Sequence, residues 1–414
     1  MSATDACFSG GGMLSADAAR AALIEAARPL GETEEVALAD LRGRVLAVDV
    51  VSPLDVPGHD NSAMDGYALR AADTGADGAK LPVSQRIAAG HPGEPLRVGS
   101  CARIFTGAPM PQGADAVVMQ EEVTLENDVA RISRPVKSGE NVRPRANDIA
   151  AGSTVLPAGI RIRPQMVGLL ASLGIPRVRV YRRLRVALLN TGDEIIEPGQ
   201  PLAPGQIYNS NRYTLLATLE QVGCEVVDLG RVEDTFEATR TAMIEAAERV
   251  DLIVTSGGVS VGEEDHIKAA VQAEGELDLW RVRMKPGKPL AFGRVGETPF
   301  IGLPGNPVSA FVTLCLFGMP FIRVAQGQRE PFPRASRARW PVAQERPLKR
   351  REFVRVRLDH TTADGVPVAE PFPRQGSDVL TSTVWAEGLL ELPEDVGLPA
   401  GALLNYWPFE ALLA

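Results

Sequence analysis

The spacing of apolar residues changes twice along the chain. From about residue 36 to residue 163, short alternating stretches are interrupted by Pro and Gly, which is typical of strands joined by turns. Helices are predicted on either side of this region, at 16–28 and 164–173. From residue 328 onward the pattern is again that of strands. These patterns predict a β-rich first part, a middle part of a different kind and a small all-β end.

The middle part, from about residue 185, alternates short apolar runs with amphipathic stretches. The apolar runs predict strands, and the stretches between them predict helices that end in a long helix from Pro307. The predicted strands are 186–190, 226–229, 252–255, 290–292 and 300–303, and the predicted helices before the last are 211–222, 235–249 and about 265–273. Strands that alternate with helices form right-handed βαβ units, so this part is predicted to be an α/β domain with a mainly parallel sheet.

Composition narrows the class of protein. A chain of 414 residues usually organises more than one core, so two to four domains are expected. The formal net charge of −9 argues against a general nucleic-acid-binding surface. The four cysteines lie far apart and form no CxxC pair, which favours reduced thiols and a cytoplasmic protein. No secretory signal is recognised, and the apolar segment 308–325, interrupted by Pro320 and Arg323, predicts a buried helix rather than a membrane span.

A glycine-rich segment follows the strand predicted at 252–255. Gly257 and Gly258 would let the backbone approach a phosphate at the edge of the sheet, close to a helix N-terminus. The segment matches neither a Walker A loop nor a GxGxxG fingerprint, and an ordinary tight turn explains two adjacent glycines equally well. Asp265 follows two other carboxylates at the start of the next helix, and we favour Mg²⁺ coordination there over capping alone.

Two lysines, Lys285 and Lys288, lie on a turn stiffened by proline. Ammonium groups bind oxyanions such as phosphate or molybdate, whereas the alternative is a solvated turn. Arg281 and Arg283 alternate with apolar residues just before the turn, so one face of that strand is basic in an acidic protein. This pattern favours an anion site.

Three further positions follow predicted strands. Glu194 is a candidate metal or water ligand after the first strand of the α/β domain. Ser309 adds a hydroxyl at the start of the last helix. Asp234 and Glu237 have the spacing of a capping box, which on its own explains Asp234.

The remaining polar motifs are ambiguous. Asp65 precedes a glycine in an ordinary hairpin signal, and Thr106 and Asp148 stand in similar polar turns. The four histidines show neither HExxH nor triad spacing. The arginines between 329 and 357 are interpreted as solvated strand faces.

Together, these motifs resemble the molybdopterin molybdenumtransferase family, the MoeA and gephyrin E-domain group. The matching segments run in family order across nearly the whole chain. They are 57–58 with 60–68, 105–109, 191–194, 256–262 with Asp265, 284–289, 303–309 and 375–377.

The resemblance implies a multidomain α/β plus β fold. Its parts are an elongated discontinuous domain (8–50 and 147–182), an inserted β-rich domain (51–146), a three-layer molybdopterin-binding α/β domain (183–327) and a C-terminal β-barrel (328–414). It also implies a homodimer with its active site between subunits.

The implied reaction inserts molybdate into adenylylated molybdopterin, releases AMP with Mg²⁺ and forms molybdenum cofactor. Asp265 and Glu194 would hold the metal and, with Asp65 and Lys285, would act in catalysis. The resemblance assigns substrate binding to Thr106, Asp148, Asp234, Gly257, Gly258, Ser260, Arg281, Lys288, Pro289, Pro304, Pro307, Ser309, Arg355 and Ser377. Arg357 is the alternative to Arg355 as the arginine that the C-terminal domain supplies. Arg281 stands where a lysine may occur in the family.

The implied partners are a second copy of the chain and a molybdopterin adenylyltransferase that delivers the substrate, with no nucleic acid or membrane. Two other functions stay open. One is molybdopterin adenylylation, which related α/β domains perform. The other is a non-catalytic scaffold with the same fold.

Overall fold

The computed structural model describes residues 13–258, 266–360 and 364–414. Its α-helices are α1 (Ala16–Ala26), α2 (Pro164–Ser172), α3 (Ser210–Gln221), α4 (Phe236–Ala247), α5 (His266–Glu274), α6 (Pro307–Thr313), α7 (Met319–Ala325), α8 (Thr381–Trp385) and α9 (Phe409–Leu412). Short 3-10 helices lie at Leu38–Asp40, Ala71–Asp73 and Gln120–Glu122, and a π-helical turn lies at Leu314–Gly318.

The strands of the first half are β1 (Thr33–Ala37), β2 (Val50–Val51), β3 (Asn61–Ser62), β4 (Gly66–Leu69), β5 (Ala79–Ile87), β6 (Cys101–Ile104), β7 (Ala116–Met119), β8 (Val123–Glu126), β9 (Val129–Ile132), β10 (Val142–Arg143), β11 (Thr154–Leu156), β12 (Arg177–Tyr181) and β13 (Arg185–Asn190). Those of the second half are β14 (Ile195–Ile196), β15 (Ile207–Tyr208), β16 (Glu225–Arg231), β17 (Leu252–Ser256), β18 (Gly275–Arg281), β19 (Met284–Lys285), β20 (Pro289–Val295), β21 (Thr298–Leu303), β22 (Ser336–Trp340), β23 (Arg351–Asp359), β24 (Val368–Pro371), β25 (Gly388–Leu392) and β26 (Ala402–Pro408).

The chain divides into two compact units. The smaller unit contains residues 48–158 and 164–178, and the larger unit contains the chain up to residue 47 together with 159–163 and 179–414. The α/β domain and the C-terminal barrel both belong to the larger unit. The four domain boundaries given by the resemblance stay a prediction.

The smaller unit is built on a six-stranded sheet in the order β7-β4-β6-β5-β9-β8. Along β4, Tyr67 and Leu69 belong to one apolar cluster and Ala68 to another, as the period of two along a strand requires. Both faces of the sheet are therefore covered. This unit is the β-rich region expected from the alternating pattern.

A second six-stranded sheet forms the centre of the larger unit, in the order β16-β13-β17-β21-β20-β18. The first four strands pair in parallel, and β20 and β18 continue the sheet antiparallel. Residues 186–189 of β13 are fully buried, as expected for a strand covered on both faces. The prediction of a mainly parallel sheet is confirmed.

Helices cover both faces of this sheet. On one face, apolar residues of α1, α3, α6 and α7 pack against Val186 and Leu188. On the other face, α4 and α5 pack against Ala187 and Leu189. The side chains of β13 thus alternate between two separate hydrophobic cores, one on each face of the sheet. The predicted three-layer domain is confirmed.

The last helix of the α/β domain extends from Pro307 to Ala325 through the π-helical turn. It is long and apolar enough to cross a membrane, but 94% of it is buried inside the protein. Such burial is that of a core helix, as the sequence predicted.

The C-terminal part is a closed barrel. Its strands follow the order β23-β24-β22-β26-β25, and an additional pairing of β25 with β23 closes the ring. A separate apolar cluster fills it, with Val356, Ala369 and Leu390 fully buried. Closure removes exposed strand edges, and the predicted β-barrel is confirmed.

Arg323 is a buried cation that holds the chain's last segment. It is 4% exposed, and its Nη2 donates to the carbonyl oxygens of Leu412 at 2.8 Å and Ala414 at 3.1 Å, while Nη1 donates to that of Pro331 at 3.2 Å. Burial lowers the pKa of Arg323 to about 10, so the side chain still carries its charge at neutral pH. Backbone carbonyls, rather than a carboxylate, therefore solvate this charge.

We expect Arg323→Ala to lower the free energy of unfolding by about 3 kcal/mol, because the carbonyls lose their donor and a cavity is left. The exposed Arg334→Ala is the matched control and should change the free energy by less than about 0.5 kcal/mol. Urea unfolding of both variants measures the difference. Equal effects of the two substitutions would contradict the role given to Arg323.

Candidate functional site

A cleft of about 1270 Å³ lies at the carboxyl ends of the parallel strands. Asn190, Ser256 and Leu303 end three neighbouring strands in register, so the segments that follow them meet at one edge of the sheet. The residues that line the cleft are Thr191, Gly192, Glu194, Ile195, Ile207, Tyr208, Asn209, Ser210, Asn211, Asp234, Ser256, Gly257, Gly258, His266, Lys285, Pro286, Gly287, Lys288, Pro289, Pro304, Gly305, Asn306, Pro307, Ser309, Arg350, Gln375, Gly376, Ser377, Asp378 and Leu380.

Glu194 enters the cleft from the turn after β13. Gly192 has a φ of +138°, and a Cβ there would lie 2.6 Å from Glu194 Oε2, so the turn needs glycine for the carboxylate to fold over it. The neighbouring Asp193 instead points to solvent, with its side chain 88% exposed. The turn thus presents one of two adjacent carboxylates to the cleft.

Gly257 and Gly258 follow β17 with φ values of +92° and +62°. Both line the cleft, and a Cβ on Gly258 would come within 2.4 Å of Ile267. Other residues would be strained at both positions, so this turn needs glycine at each of them. Ser260 and Asp265, predicted in the continuation of this loop, lie outside the described residues.

Asn211 was not predicted as a site residue. Its Nδ2 donates to Ser256 Oγ and to the carbonyl oxygen of Gly305, both at 2.7 Å. It therefore links the loops that follow β17 and β21. The only signal in the sequence was its position in the first turn of a predicted helix.

The capping-box interpretation of Asp234 is wrong. Thr235 is the N-cap of α4, and its side chain accepts a hydrogen bond from the backbone N–H of Ala238. Asp234 is left to line the cleft. Burial raises the pKa of Asp234; His266 lowers it, and the nearby Asp193 and Glu194 raise it further.

The Lys285–Lys288 turn forms a different wall of the cleft. Gly287 has a φ of +90°, and a Cβ there would meet Thr313 Oγ1 at 2.4 Å, so the turn packs closely on α6. Lys285 Nζ lies 3.3 Å from Glu352, whereas Lys288 is exposed. Lys288 is therefore the less compensated of the two charges. Pro289 follows at the start of β20 and also lines the cleft.

The segment after β21 brings Pro304, Pro307 and Ser309 to the same cleft. Pro307 occupies the start of α6, where its missing N–H costs nothing. The backbone N–H of Val308 donates to the carbonyl oxygen of Ser377 at 3.0 Å. This bond joins the helix start to a loop of the barrel, so Ser309 and Ser377 lie in one cleft.

Arg355 lies behind that loop, not in the lining. It is 1% exposed, and its side chain donates to the carbonyl oxygen of Gly376 at 2.9 Å and to Ser382 Oγ at 3.0 Å. Its backbone exchanges two hydrogen bonds with the Gln375 side chain, each of 3.0 Å. Arg357 stacks on Trp385 and is not a lining residue either.

The arginine that lines the cleft is Arg350, which sequence reasoning missed. The neighbouring Arg351 pairs with Asp17, Glu391 and Glu394 at 2.7, 2.9 and 2.8 Å. Within residues 13–258, 266–360 and 364–414, no such partner is found for the half-buried Arg350. Of two adjacent arginines, Arg351 is therefore neutralised by carboxylates and Arg350 lines the cleft, a difference that the sequence alone does not show.

Besides Arg355, four predicted residues are not among those that line this cleft. Arg281 is exposed at the end of β18 and is not a lining residue. The others belong to the smaller unit, where Asp65 Oδ1 accepts hydrogen bonds from the backbone N–H and the hydroxyl of Thr106 at 2.8 and 2.9 Å. These bonds lower the pKa of Asp65. Asp148 is exposed in the same unit.

Three family models match successive parts of the chain. The MoeA N-terminal region (domain I and II) matches residues 14–174, a probable molybdopterin binding domain matches 187–324, and the MoeA C-terminal region (domain IV) matches 337–409. The molybdopterin molybdenumtransferase of Haemophilus influenzae is 40% identical over 97% of this chain and all of its own length. The chain belongs to the molybdopterin molybdenumtransferase family.

Another relative, molybdopterin molybdenumtransferase 2 of Mycobacterium tuberculosis, is 38% identical over 94% of this chain and 96% of its own. The crystal structure of the molybdopterin biosynthesis moeA protein of Pyrococcus horikoshii OT3 has a TM-score of 0.81 at 28% identity, and the match covers 96% of this chain and all of that one. The described part of the chain therefore has the fold of this family.

Proposed function

We propose that this protein inserts molybdate into adenylylated molybdopterin, releasing AMP and forming molybdenum cofactor. The observation that carries the proposal is the single cleft that gathers Glu194, Asp234, Lys285, Lys288, Ser309 and Ser377 at one sheet edge. Such a cleft has carboxylates for a cation and fixed positive donors for tetrahedral oxyanions. The names of the relatives support the same reaction.

The cationic wall binds the oxyanions. Lys288 and Arg350 contribute charge, and Ser309 and Ser377 contribute hydroxyls that donate hydrogen bonds. A guanidinium presents a planar pair of donors to an oxyanion, while an ammonium acts as a point charge. Because the fold holds these groups in position before the reaction begins, they can stabilise negative charge on the oxyanions without having to move.

Glu194 and Asp234 line the cleft and are candidate ligands for Mg²⁺, while no group of three potential metal ligands is found among the described residues. Burial raises the pKa of Asp234, and the charges of Asp193 and Glu194 raise it further, so a divalent cation at this place would relieve the repulsion between the carboxylates. Carboxylate oxygens are the ligands that Mg²⁺ prefers, and Glu194, Asp234 and Asp265 would hold it. The ion would supply positive charge that stabilises negatively charged phosphate oxygens.

The smaller unit contributes through a second copy of the chain. Asp65 and Thr106 form a preorganised pair, and with Asp148 they complete the cleft of the partner subunit in a homodimer. A molybdopterin adenylyltransferase supplies the substrate, and the protein works in the cytoplasm. Cys101, Cys224 and Cys315 are buried and unpaired, which fits a reducing compartment.

The reaction itself is tested by incubating the protein with adenylylated molybdopterin, molybdate and Mg²⁺. We expect AMP release that requires molybdate, with cofactor formation measured by reconstitution of a molybdenum-free enzyme. Glu194→Gln should lower the rate at least about tenfold, because the carboxylate charge is lost. Asp193→Asn is the matched control and should retain the rate, since its side chain points to solvent.

Two results would contradict the assignment. Consumption of ATP with unmodified molybdopterin in the absence of molybdate would identify an adenylyltransferase instead. A protein that releases no AMP under any of these conditions, although folded, would be a scaffold. Full activity of Glu194→Gln would show that this carboxylate is not needed for catalysis, but it would not contradict the proposed reaction.

We expect Arg350→Ala to weaken molybdate binding about tenfold, because the cleft loses a cation that no carboxylate of the described residues neutralises. Arg346→Ala removes the same charge from an exposed position outside the lining and should leave binding unchanged. Isothermal titration with molybdate measures both. Equal affinities for the two variants would contradict the role of Arg350.

The dimer proposal predicts intersubunit complementation. Asp65→Asn and Glu194→Gln should each be strongly impaired alone, yet a refolded mixture should recover activity, because a mixed dimer has one cleft with both carboxylates. Light scattering should give the mass of two chains. A mixture that forms dimers but stays inactive would place Asp65 and Glu194 in the same subunit's site.

A further inference from the structure

The cleft has one apolar corner. Ile207 and Tyr208, which form β15, line it and are 58% and 46% exposed. β15 pairs in parallel with β14, whose Ile195 lines the same corner. Apart from Leu380 and four prolines, the rest of the lining is polar or glycine, so the exposed Tyr208 ring, with the aliphatic side chain of Ile207 next to it, offers contact to a flat apolar surface.

The β14–β15 pair is held firmly in place. The backbone N–H of Ile207 donates to the carbonyl oxygen of Glu194 at 2.8 Å, and that of Asn209 donates to Ile196 at 2.9 Å. Tyr208 donates its hydroxyl hydrogen bond to the carbonyl oxygen of Gln200 at 3.0 Å. The tyrosine ring is thus fixed before any ligand arrives, which lowers the entropy cost of contact.

A second set of bonds fixes the base of this pair. Arg212, in the first turn of α3, lies 2.7 Å from Glu197 and 2.9 Å from Asp228. Tyr213 donates to Glu197 at 2.9 Å. Glu197 directly follows β14, so these interactions tie the apolar corner to the sheet.

The corner lies at the carboxylate side of the cleft. It is bonded to Glu194, which follows β13, whereas Lys288 precedes β20, three positions further along the sheet order. At about 4.8 Å between neighbouring strands, that separation is roughly 14 Å. Consider a substrate with molybdate bound at the cations and its phosphate at the carboxylates. The group attached beyond that phosphate would then lie at the apolar corner.

We propose that the Tyr208 ring, with Ile207 beside it on β15, is a stacking platform for the adenine ring of the adenylylated substrate. The inference rests on the proposed function and specifies which end of the substrate this corner holds. Purine rings have two apolar faces and gain most of their affinity for tyrosine by stacking. The pterin ring can also stack on tyrosine. However, the dithiolene attached to the pterin must meet molybdate, which keeps the pterin ring at the cationic side of the cleft.

The test compares AMP with ribose 5-phosphate, which keeps the phosphate and lacks the base. We expect the wild-type protein to prefer AMP and Tyr208→Ala to lose about tenfold in AMP affinity, with ribose 5-phosphate unaffected. Tyr208→Phe, which retains the ring, should keep the preference. Leu202→Ala is the matched control, because Leu202 is 43% exposed in the segment between β14 and β15 but does not line the cleft.

Other outcomes separate this inference from the proposed function. If the Tyr208→Ala variant still prefers AMP over ribose 5-phosphate as strongly as the wild type does, the stacking platform is overturned. Tyr208→Ala that weakens binding of 6-hydroxymethylpterin but not of AMP shows that the corner holds the other ring and overturns the assignment to adenine. A wild-type protein that forms cofactor yet binds AMP no better than ribose 5-phosphate overturns the platform and leaves the function intact. Failure to form cofactor is instead a failure of the proposed function.

Discussion

Parallel pairing of β13, β17 and β21 is the constraint on which the site depends. Parallel strands in register all finish at one edge, so three loops far apart in sequence begin side by side. Antiparallel pairing would send alternate loops to opposite edges. The turn before β20 reaches this same edge because β20 runs the other way. Strand direction therefore determines that the carboxylates, the glycine pair and the lysine turn face one cleft.

The barrel takes part in this cleft through a buried cation. Arg355 is surrounded by protein and uses its donors on the 375–382 segment instead of on solvent or ligand. That segment then accepts the backbone hydrogen bond from Val308 at the start of α6. The charge is expensive to bury, and its hydrogen bonds offset that cost only while the loop keeps its shape. An arginine outside the cleft thus controls the position of a serine inside it.

Periodicity predicted the fold well, because strands covered on both faces and one-sided helices leave strong patterns in the sequence. Local residue motifs, rather than periodicity, indicated the glycine and lysine turns, because the residues of each turn are adjacent in the sequence. The sequence pattern assigned the N-cap of α4 to Asp234, whereas Thr235 holds that position. Both residues can cap a helix, and the choice depends on which of them adopts the cap conformation. The sequence pattern could not identify Arg350, because only the carboxylates that converge on Arg351 from elsewhere in the chain distinguish the two. Pairing between distant segments has no local signal.

The order of the lining segments has a consequence for how the protein is made. The cleft draws on residues from Thr191 to Leu380, so its last wall is translated when most of the chain has already left the ribosome. The α/β sheet can fold earlier, because its strands end by Leu303. A growing polypeptide therefore carries a folded sheet with an open, incomplete cleft until the barrel segments have been made. The cleft gains its full lining only after the barrel has closed.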